Sequence, residues 1–176
     1  YIWNDQSLKS RELEIKVRNE LHVDQQVVTP KEIHDLEPNI KPIYHGGVYY
    51  QHGRHARNPK KILLRLFELF LKKGGKFLKM NIENVSFDEE KPVIKTETQS
   101  FLFDKIVIAC GSFSKKLTDN LDEKIPLDTE RGYHVHFKDC DQLLSRPVIF
   151  QNRGFGITPM EQGLRVVGTV EFGGLN

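Results

Sequence analysis

Residues 105–114 read Lys-Ile-Val-Ile-Ala-Cys-Gly-Ser-Phe-Ser, an apolar, partly β-branched run closed by Gly111. Such a run suits a strand buried on both faces, as in a parallel sheet. Ser112 or Ser114 then precedes Lys115-Lys116-Leu117, which reads as a helix start. Strand, tight glycine turn and helix N-terminus together let a backbone approach a phosphate or ribose closely. The same pattern also serves as a plain structural crossover, so fold alone does not decide between the two.

Other residue types open further chemistry. His134 and His136 share one face of an expected strand, and His52 and His55 lie three apart in a loop. Zinc needs three or four converging ligands with a supporting shell, and no cysteine or acidic partner has fitting spacing, so no metal site is expected. Arg54 and His55 occupy a polar turn, where they either meet an acidic group or are simply solvated. Cys110 adjoins the glycine turn, a setting that can activate a thiol. No Ser/His/Asp or Cys/His arrangement is present, and the catalytic residues stay unassigned.

Composition narrows the classes. Apolar content of 38% and charged content of 28% fit a globular protein, and Lys+Arg 26 against Asp+Glu 24 is too balanced for a nucleic-acid binder. The longest apolar run, 62–71, is interrupted by Arg65 and Glu68 and is too short to span a bilayer. The opening residues do not have the pattern of a signal peptide, and none is expected. Two cysteines thirty residues apart match no zinc or redox motif, so the expected location is the cytoplasm. Both ends of the chain stop in mid-pattern, and an internal segment of a longer protein is expected.

The elements that would position these residues follow in order. Residues 7–21 carry Leu8, Leu13, Ile15, Val17 and Leu21 among charges, which suits a surface helix. Thr29-Pro30-Lys31-Glu32 starts a helix that ends before Pro38. Residues 40–53 read as extended, with Gly46-Gly47 as a bend and 48–50 as strand. Asn58-Pro59 opens the clearest helix, with Ile62, Leu63, Leu66, Phe67 and Phe70 on one face and Gly74-Gly75 as its end. Strands are expected at 77–80 and 82–87, and a hairpin at 93–98 and 100–103 feeds the run at 105–110. After a helix at 114–121, strand-like runs at 128–137, 147–151, 154–159 and 164–171 predict an antiparallel sheet in a different lobe.

Five features in this order resemble the D-amino-acid oxidase/dehydrogenase superfamily of FAD-dependent oxidoreductases, and within it the bacterial D-amino acid dehydrogenase branch. They are Leu36-Glu37-Pro38; Gly46-Gly47-Val48-Tyr49-Tyr50 with Asn58-Pro59; the turn at 107–114; Arg131-Gly132-Tyr133; and the strand Arg165-Val166-Val167-Gly168-Thr169-Val170-Glu171. The resemblance implies an α+β / α/β fold: part of a flavin-binding α/β domain joined to an antiparallel β-sheet substrate domain with flanking helices. It places the first part of the substrate domain at 1–57, part of the FAD-binding domain at 58–125 and the second part of the substrate domain at 126–176.

The implied chemistry is oxidation of the C–N bond of an amino acid. Flavin N5 takes a hydride, and the imine is then hydrolysed to a keto acid and ammonia, while the protein orients substrate and excludes water. The partners implied are a small amine or amino-acid substrate and an electron acceptor, oxygen or a quinone chain. A homo-oligomer is compatible with this, as is a peripheral position at the inner face of the membrane. Residue by residue, Val85, Ala109, Cys110 and Gly111 would meet FAD, with Cys110 filling the family's small-residue slot. Phe155, Tyr133 and Thr169 would face the substrate.

The chain also departs from the family's pattern. It lacks the Gly-x-Gly-x-x-Gly fingerprint and the C-terminal segment that carries a second flavin-contacting loop. This segment alone is therefore expected to be inactive and to bind FAD weakly or not at all; micromolar affinity in a flavin titration would contradict that. Two alternatives stand beside this reading. One is a non-catalytic α+β ligand-binding module, and the other is a sarcosine, glycine or 2-hydroxyglutarate oxidase.

Overall fold

The computed structural model describes residues 1–3 and 8–175, with backbone only at 8–10. In chain order the elements are β1 (Ile2–Trp3), α1 (Leu8–Glu20), β2 (Gln26–Val28), α2 (Pro30–Leu36), β3 (Gly46–Tyr49) and α3 (Pro59–Lys72). There follow β4 (Asn84–Asp88), β5 (Lys91–Lys95), β6 (Ser100–Leu102), α4 (Ser114–Asp119) and β7 (Arg131–Lys138). The last three are β8 (Val148–Phe150), β9 (Phe155–Met160) and β10 (Gly163–Glu171). The chain divides into two compact units, Tyr1–Arg65 with Gly132–Val170, and Leu66–Arg131 with Glu171–Asn176.

The first unit is built on a seven-stranded sheet of order β2-β3-β1-β8-β9-β10-β7. Its pairings are antiparallel at β2–β3, β1–β3, β8–β9 and β9–β10, while β1 and β8 run parallel, with Ile2 opposite Phe150. One face carries the core. Ile2, Val28, Val148, Phe150 and Leu164 are buried there together with Ile33 of α2, Ile40 and Leu144. Burying each such side chain contributes about 1.5–3 kcal/mol.

Two glycines expected to bend the chain instead lie inside β3. A Cβ on Gly47 would come within 2.7 Å of the Tyr1 carbonyl, and one on Gly46 would press on the Trp3 ring at 3.3 Å. The pair therefore makes a flat floor for β1 rather than a corner. On the face that carries Trp3, α1 turns inward not Leu13 but Arg11, Ile15 and Arg18. The Arg11 guanidinium sits 5.0 Å from the Trp3 ring centre, and Arg18 Nη1 donates to the Tyr50 hydroxyl at 2.6 Å. Leu13 stays 71% exposed. The expected helix start at Ser7 and the Leu8 side chain lie outside the described residues.

α2 forms as its sequence dictates. The Thr29 hydroxyl accepts from Glu32 N–H at 3.3 Å, and the Glu32 carboxylate accepts from Thr29 N–H at 2.7 Å, a reciprocal cap with Pro30 in the first turn. Those bonds, the Thr29 backbone N–H first and its hydroxyl second, hold the Glu32 carboxyl below the usual glutamate range. The helix stops at Leu36, ahead of Pro38. The next residue, Glu37, turns into the interior at 4% exposure. Its carboxylate accepts from Ser145 N–H at 3.0 and 3.2 Å, from the Ser145 hydroxyl and from Arg146 Nε at 2.9 Å. A buried carboxylate needs such partners. These tie the end of α2 to the loop that enters β8.

α3 begins where Asn58 Oδ1 accepts from Lys61 N–H at 3.0 Å. It ends where Gly74, at φ +89°, and Gly75 fold back, their N–H groups reaching the Leu71 and Phe70 carbonyls. Its apolar face is exposed, with Ile62 at 52% and Leu63 at 67%.

In the second unit β4, β5 and β6 form an antiparallel sheet in that order, and α4 packs on β4 with Leu117 and Val85 both buried. The expected strands at 77–80 and 105–110 do not form, and Val107 is 89% exposed. A strand exists through its hydrogen-bonded neighbours. The described residues offer neither run a partner, since the sheet here contains only β4, β5 and β6. With mixed and antiparallel sheets and few helices, the architecture is α+β.

Candidate functional site

The glycine turn is present although the strand before it is not. Gly111 opens a single 3-10 turn, Gly111–Phe113, that runs into α4. Its φ of +57° is the left-handed region, and a Cβ placed there would meet no atom within 4 Å. The glycine is thus favoured by backbone conformation, and the space over it is open. Cys110 N–H donates to the Ser114 hydroxyl at 3.1 Å, which fixes the turn from inside. Ala109, Cys110 and Gly111 are exposed, whereas Val85 is 2% exposed within β4. The first three form one continuous exposed edge. Val85 belongs to the packed layer on which α4 rests.

The three candidate substrate-facing residues lie on consecutive strands of the larger sheet, Phe155 on β9, Thr169 on β10 and Tyr133 on β7. Phe155 pairs with Phe150, their rings 4.7 Å apart at 23°, and it packs against the core cluster. Gly168 makes room beside it, since a Cβ there would fall 2.7 Å from both the Phe155 Cβ and the Gly154 carbonyl. Thr169 follows Gly168, so strand alternation turns it to the face opposite Phe155. Thr169 and Tyr133 are exposed, Tyr133 at 48%. The three are therefore neighbours in strand order without converging on one face.

The histidine pairs do not act together. His52 meets Asp24 at 2.9 Å, while His55 Nε2 lies 2.9 Å from the Pro159 carbonyl. The rings of His134 and His136 stand 6.3 Å apart. No group of three or more metal-ligating side chains occurs among the described residues.

The sequence reading missed a cleft of about 720 Å³ in the first unit, where β3 runs into the loop before α3 and faces the entry to β8. Tyr49, Tyr50, Arg54, His55, Arg57 and Arg146 line it. Burial pushes the Tyr50 phenol above its usual range, with the Arg18 charge opposing. Arg57 is held by Asp141 at 2.8 Å. Arg146 is held through Nε by Glu37, and its guanidinium lies 5.3 Å from the Tyr49 ring centre. The Arg54–His55 turn was the only sequence signal for this cleft. Arg146 lies far along the chain and Glu37 before the turn, and nothing in their spacing links them to it.

A family model described as FAD dependent oxidoreductase (DAO) matches residues 1–176. Among curated proteins, a D-amino-acid oxidase of Bradyrhizobium diazoefficiens is 30% identical over 145 residues, covering 82% of this chain and 34% of that protein. A D-amino acid dehydrogenase of Vibrio atlanticus is 26% identical over 143 residues, covering 78% and 34%. Among solved structures, glycine oxidase from Geobacillus kaustophilus superposes with a TM-score of 0.86 at 17% identity, over 99% of this chain and 48% of that one. L-proline dehydrogenase from P. horikoshii gives 0.85 at 15% identity, over 99% and 49%. The chain spans about a third of the length of these curated relatives and about half of these solved chains. At such identities the structural likeness establishes a shared fold.

Proposed function

The chain belongs to the DAO family of FAD-dependent oxidoreductases, and from that premise we propose that the protein containing it oxidises the C–N bond of an amino acid, a D-amino acid by preference. The observation that carries the substrate class is the 30% identity to a D-amino-acid oxidase across most of the chain.

The residues at hand fit the cofactor. The exposed backbone edge at Ala109, Cys110 and Gly111, with open space where a Cβ of Gly111 would stand, suits close approach of a phosphate or ribose. When bound, FAD supplies the acceptor for the hydride leaving the amine-bearing carbon. We assign the second unit, with Val85 behind that edge, to the flavin side and the first unit to the substrate side. Phe155 presents an aromatic wall braced by Phe150, which limits the positions a substrate side chain can take. Tyr133 on β7 offers a hydroxyl, whereas Thr169 faces away from Phe155 and would serve only a substrate on the opposite face.

With FAD bound, loss of that hydride would leave an imine, which water would convert to a keto acid and ammonia, and the final electron acceptor would be oxygen or a quinone chain. The test is the full-length protein, loaded with FAD and assayed with a dye acceptor against D-amino acids, L-amino acids, glycine, sarcosine and 2-hydroxyglutarate. Dye reduction by a D-amino acid with stoichiometric ammonia is expected. Turnover of 2-hydroxyglutarate alone, with no ammonia, would sink the C–N reading.

A further inference from the structure

The arginine-lined cleft of the first unit has a composition that its neighbours do not account for. Three guanidinium groups and His55 border it, and no aspartate or glutamate is among the residues that line it. Arg57 has Asp141 as its counter-ion, and Arg146 has Glu37. Arg54 has only the backbone carbonyls of Gln51 and Gly53, at 3.0 and 2.9 Å, and no carboxylate partner among the described residues. Its charge is therefore uncompensated at the mouth of a recess.

Arg146 is oriented as a binding group would be. Glu37 and the Ser145 hydroxyl take its Nε, its guanidinium carbon lies 5.3 Å from the Tyr49 ring centre, and its two terminal nitrogens have no hydrogen-bond partner among the described residues. A guanidinium locked on one edge and stacked on an aromatic ring gives up little freedom when it grips an oxyanion in a two-pronged fashion. Tyr49 and Tyr50 add flat apolar walls with polar tips. The volume of about 720 Å³ is that of a small-molecule site rather than of a single ion.

The cleft is also separate from the strand row that holds Phe155. Ile149 lines it, and in the β8–β9 register Ile149 pairs with Gly156 while Phe150 pairs with Phe155. Strand alternation thus sends Ile149 and Phe155 to opposite faces of the sheet.

We propose that this cleft binds a small organic oxyanion, its charge a carboxylate or phosphate held by Arg54 and Arg146, at a site distinct from the Phe155 face. This goes beyond the amine-oxidation reading and does not depend on turnover.

The test is calorimetric titration of the full-length, FAD-loaded protein with inorganic phosphate and, separately, with succinate, in chloride at about 0.15 M so that loose surface attraction is screened. Saturable binding of one or both is expected, and whichever binds names the anion. Arg54→Gln and Arg146→Gln should each weaken it about tenfold or more, the loss of a charge-assisted hydrogen bond. Phe155→Ala should leave it within about twofold, being on the other face. Far-ultraviolet circular dichroism and retained flavin absorbance confirm that each variant is folded, and Arg54, which anchors no buried network, covers the case in which Arg146→Gln unfolds. Binding of neither probe, binding indifferent to Arg54→Gln, or loss of binding in Phe155→Ala would each overturn the proposal.

Discussion

Glu37→Ala is the substitution most exposed to refutation by measurement. The carboxylate is 4% exposed and accepts from Ser145 N–H, the Ser145 hydroxyl and Arg146 Nε. Removing it leaves the Ser145 N–H without a partner in a part-buried position, a cost of about 1–3 kcal/mol. The Arg146 side chain is 34% exposed, so water compensates it in part and its lost pairing adds about 1 kcal/mol or less. The total is about 3 kcal/mol. For a domain of 150–250 residues that lowers the melting temperature by roughly 6–12 °C, and in the longer full-length protein the fall is smaller. Glu37→Gln keeps one oxygen for the Ser145 N–H but loses the charge, and about half that effect is expected. Thermal unfolding of the full-length protein, read by differential scanning fluorimetry, measures both, with the exposed Glu12→Ala as reference. If Glu37→Ala melts with the Glu12→Ala control, the carboxylate does not hold the β8 entry and the reasoning fails.

Gly111→Val forces a branched side chain into a left-handed backbone position, where β-branched residues are strained, and should weaken FAD binding by the full-length protein at least several-fold in a fluorescence titration. An unchanged affinity would remove the turn from the flavin side. Gly168→Val places a Cβ within 2.7 Å of Phe155 Cβ and of a backbone carbonyl, so about 2 kcal/mol or more of stability should be lost in urea unfolding, with Gly132→Ala as a benign comparison because space there is open. Thr29→Ala should cost about 1 kcal/mol by loss of the cap. Because the folded-state carboxyl of Glu32 is lowered, its stabilising share is present above the ordinary glutamate range and is lost as pH falls through its folded value. Melting temperature against pH should therefore fall less steeply in acid for Glu32→Gln than for the parent.

What the sequence disclosed was local chemistry. Thr29-Pro30 and Asn58-Pro59 carry their own helix starts, Gly74-Gly75 its own helix end, and the alternating runs at 148–171 their own strand periodicity. These need no distant partner to be read. The resemblance carried by Leu36-Glu37-Pro38 and by Gly168-Thr169 likewise pointed to the family that the match over residues 1–176 establishes. Pairing was another matter. The run 105–110 has the composition of a central strand but no neighbour here, and Val107 is left in solvent. Gly46-Gly47 looked like a bend because glycine's two uses, turning and yielding space, are identical in one dimension. On α1 the sequence offered Leu13, yet aromatic partners at Trp3 and Tyr50 drew arginines inward instead. The cleft was hidden for the same reason, since Arg54 and Arg146 meet only after the sheet forms.

The pairing of Ile2 with Phe150 has a bearing on the order in which the chain assembles. The sheet of the first unit draws β1, β2 and β3 from early in the chain and β7 to β10 from late in it, with the second unit inserted between. During synthesis the early strands must wait, carrying an unpaired edge at β1, until β8 has been made. Closing so long a loop is slow, and an open edge is an invitation to wrong partners in the interval. An inserted unit that folds first shortens the effective loop and holds its two ends at fixed positions. On that account the β4–β6 sheet, made wholly of near neighbours, lowers the entropic cost of joining the early strands to the late ones.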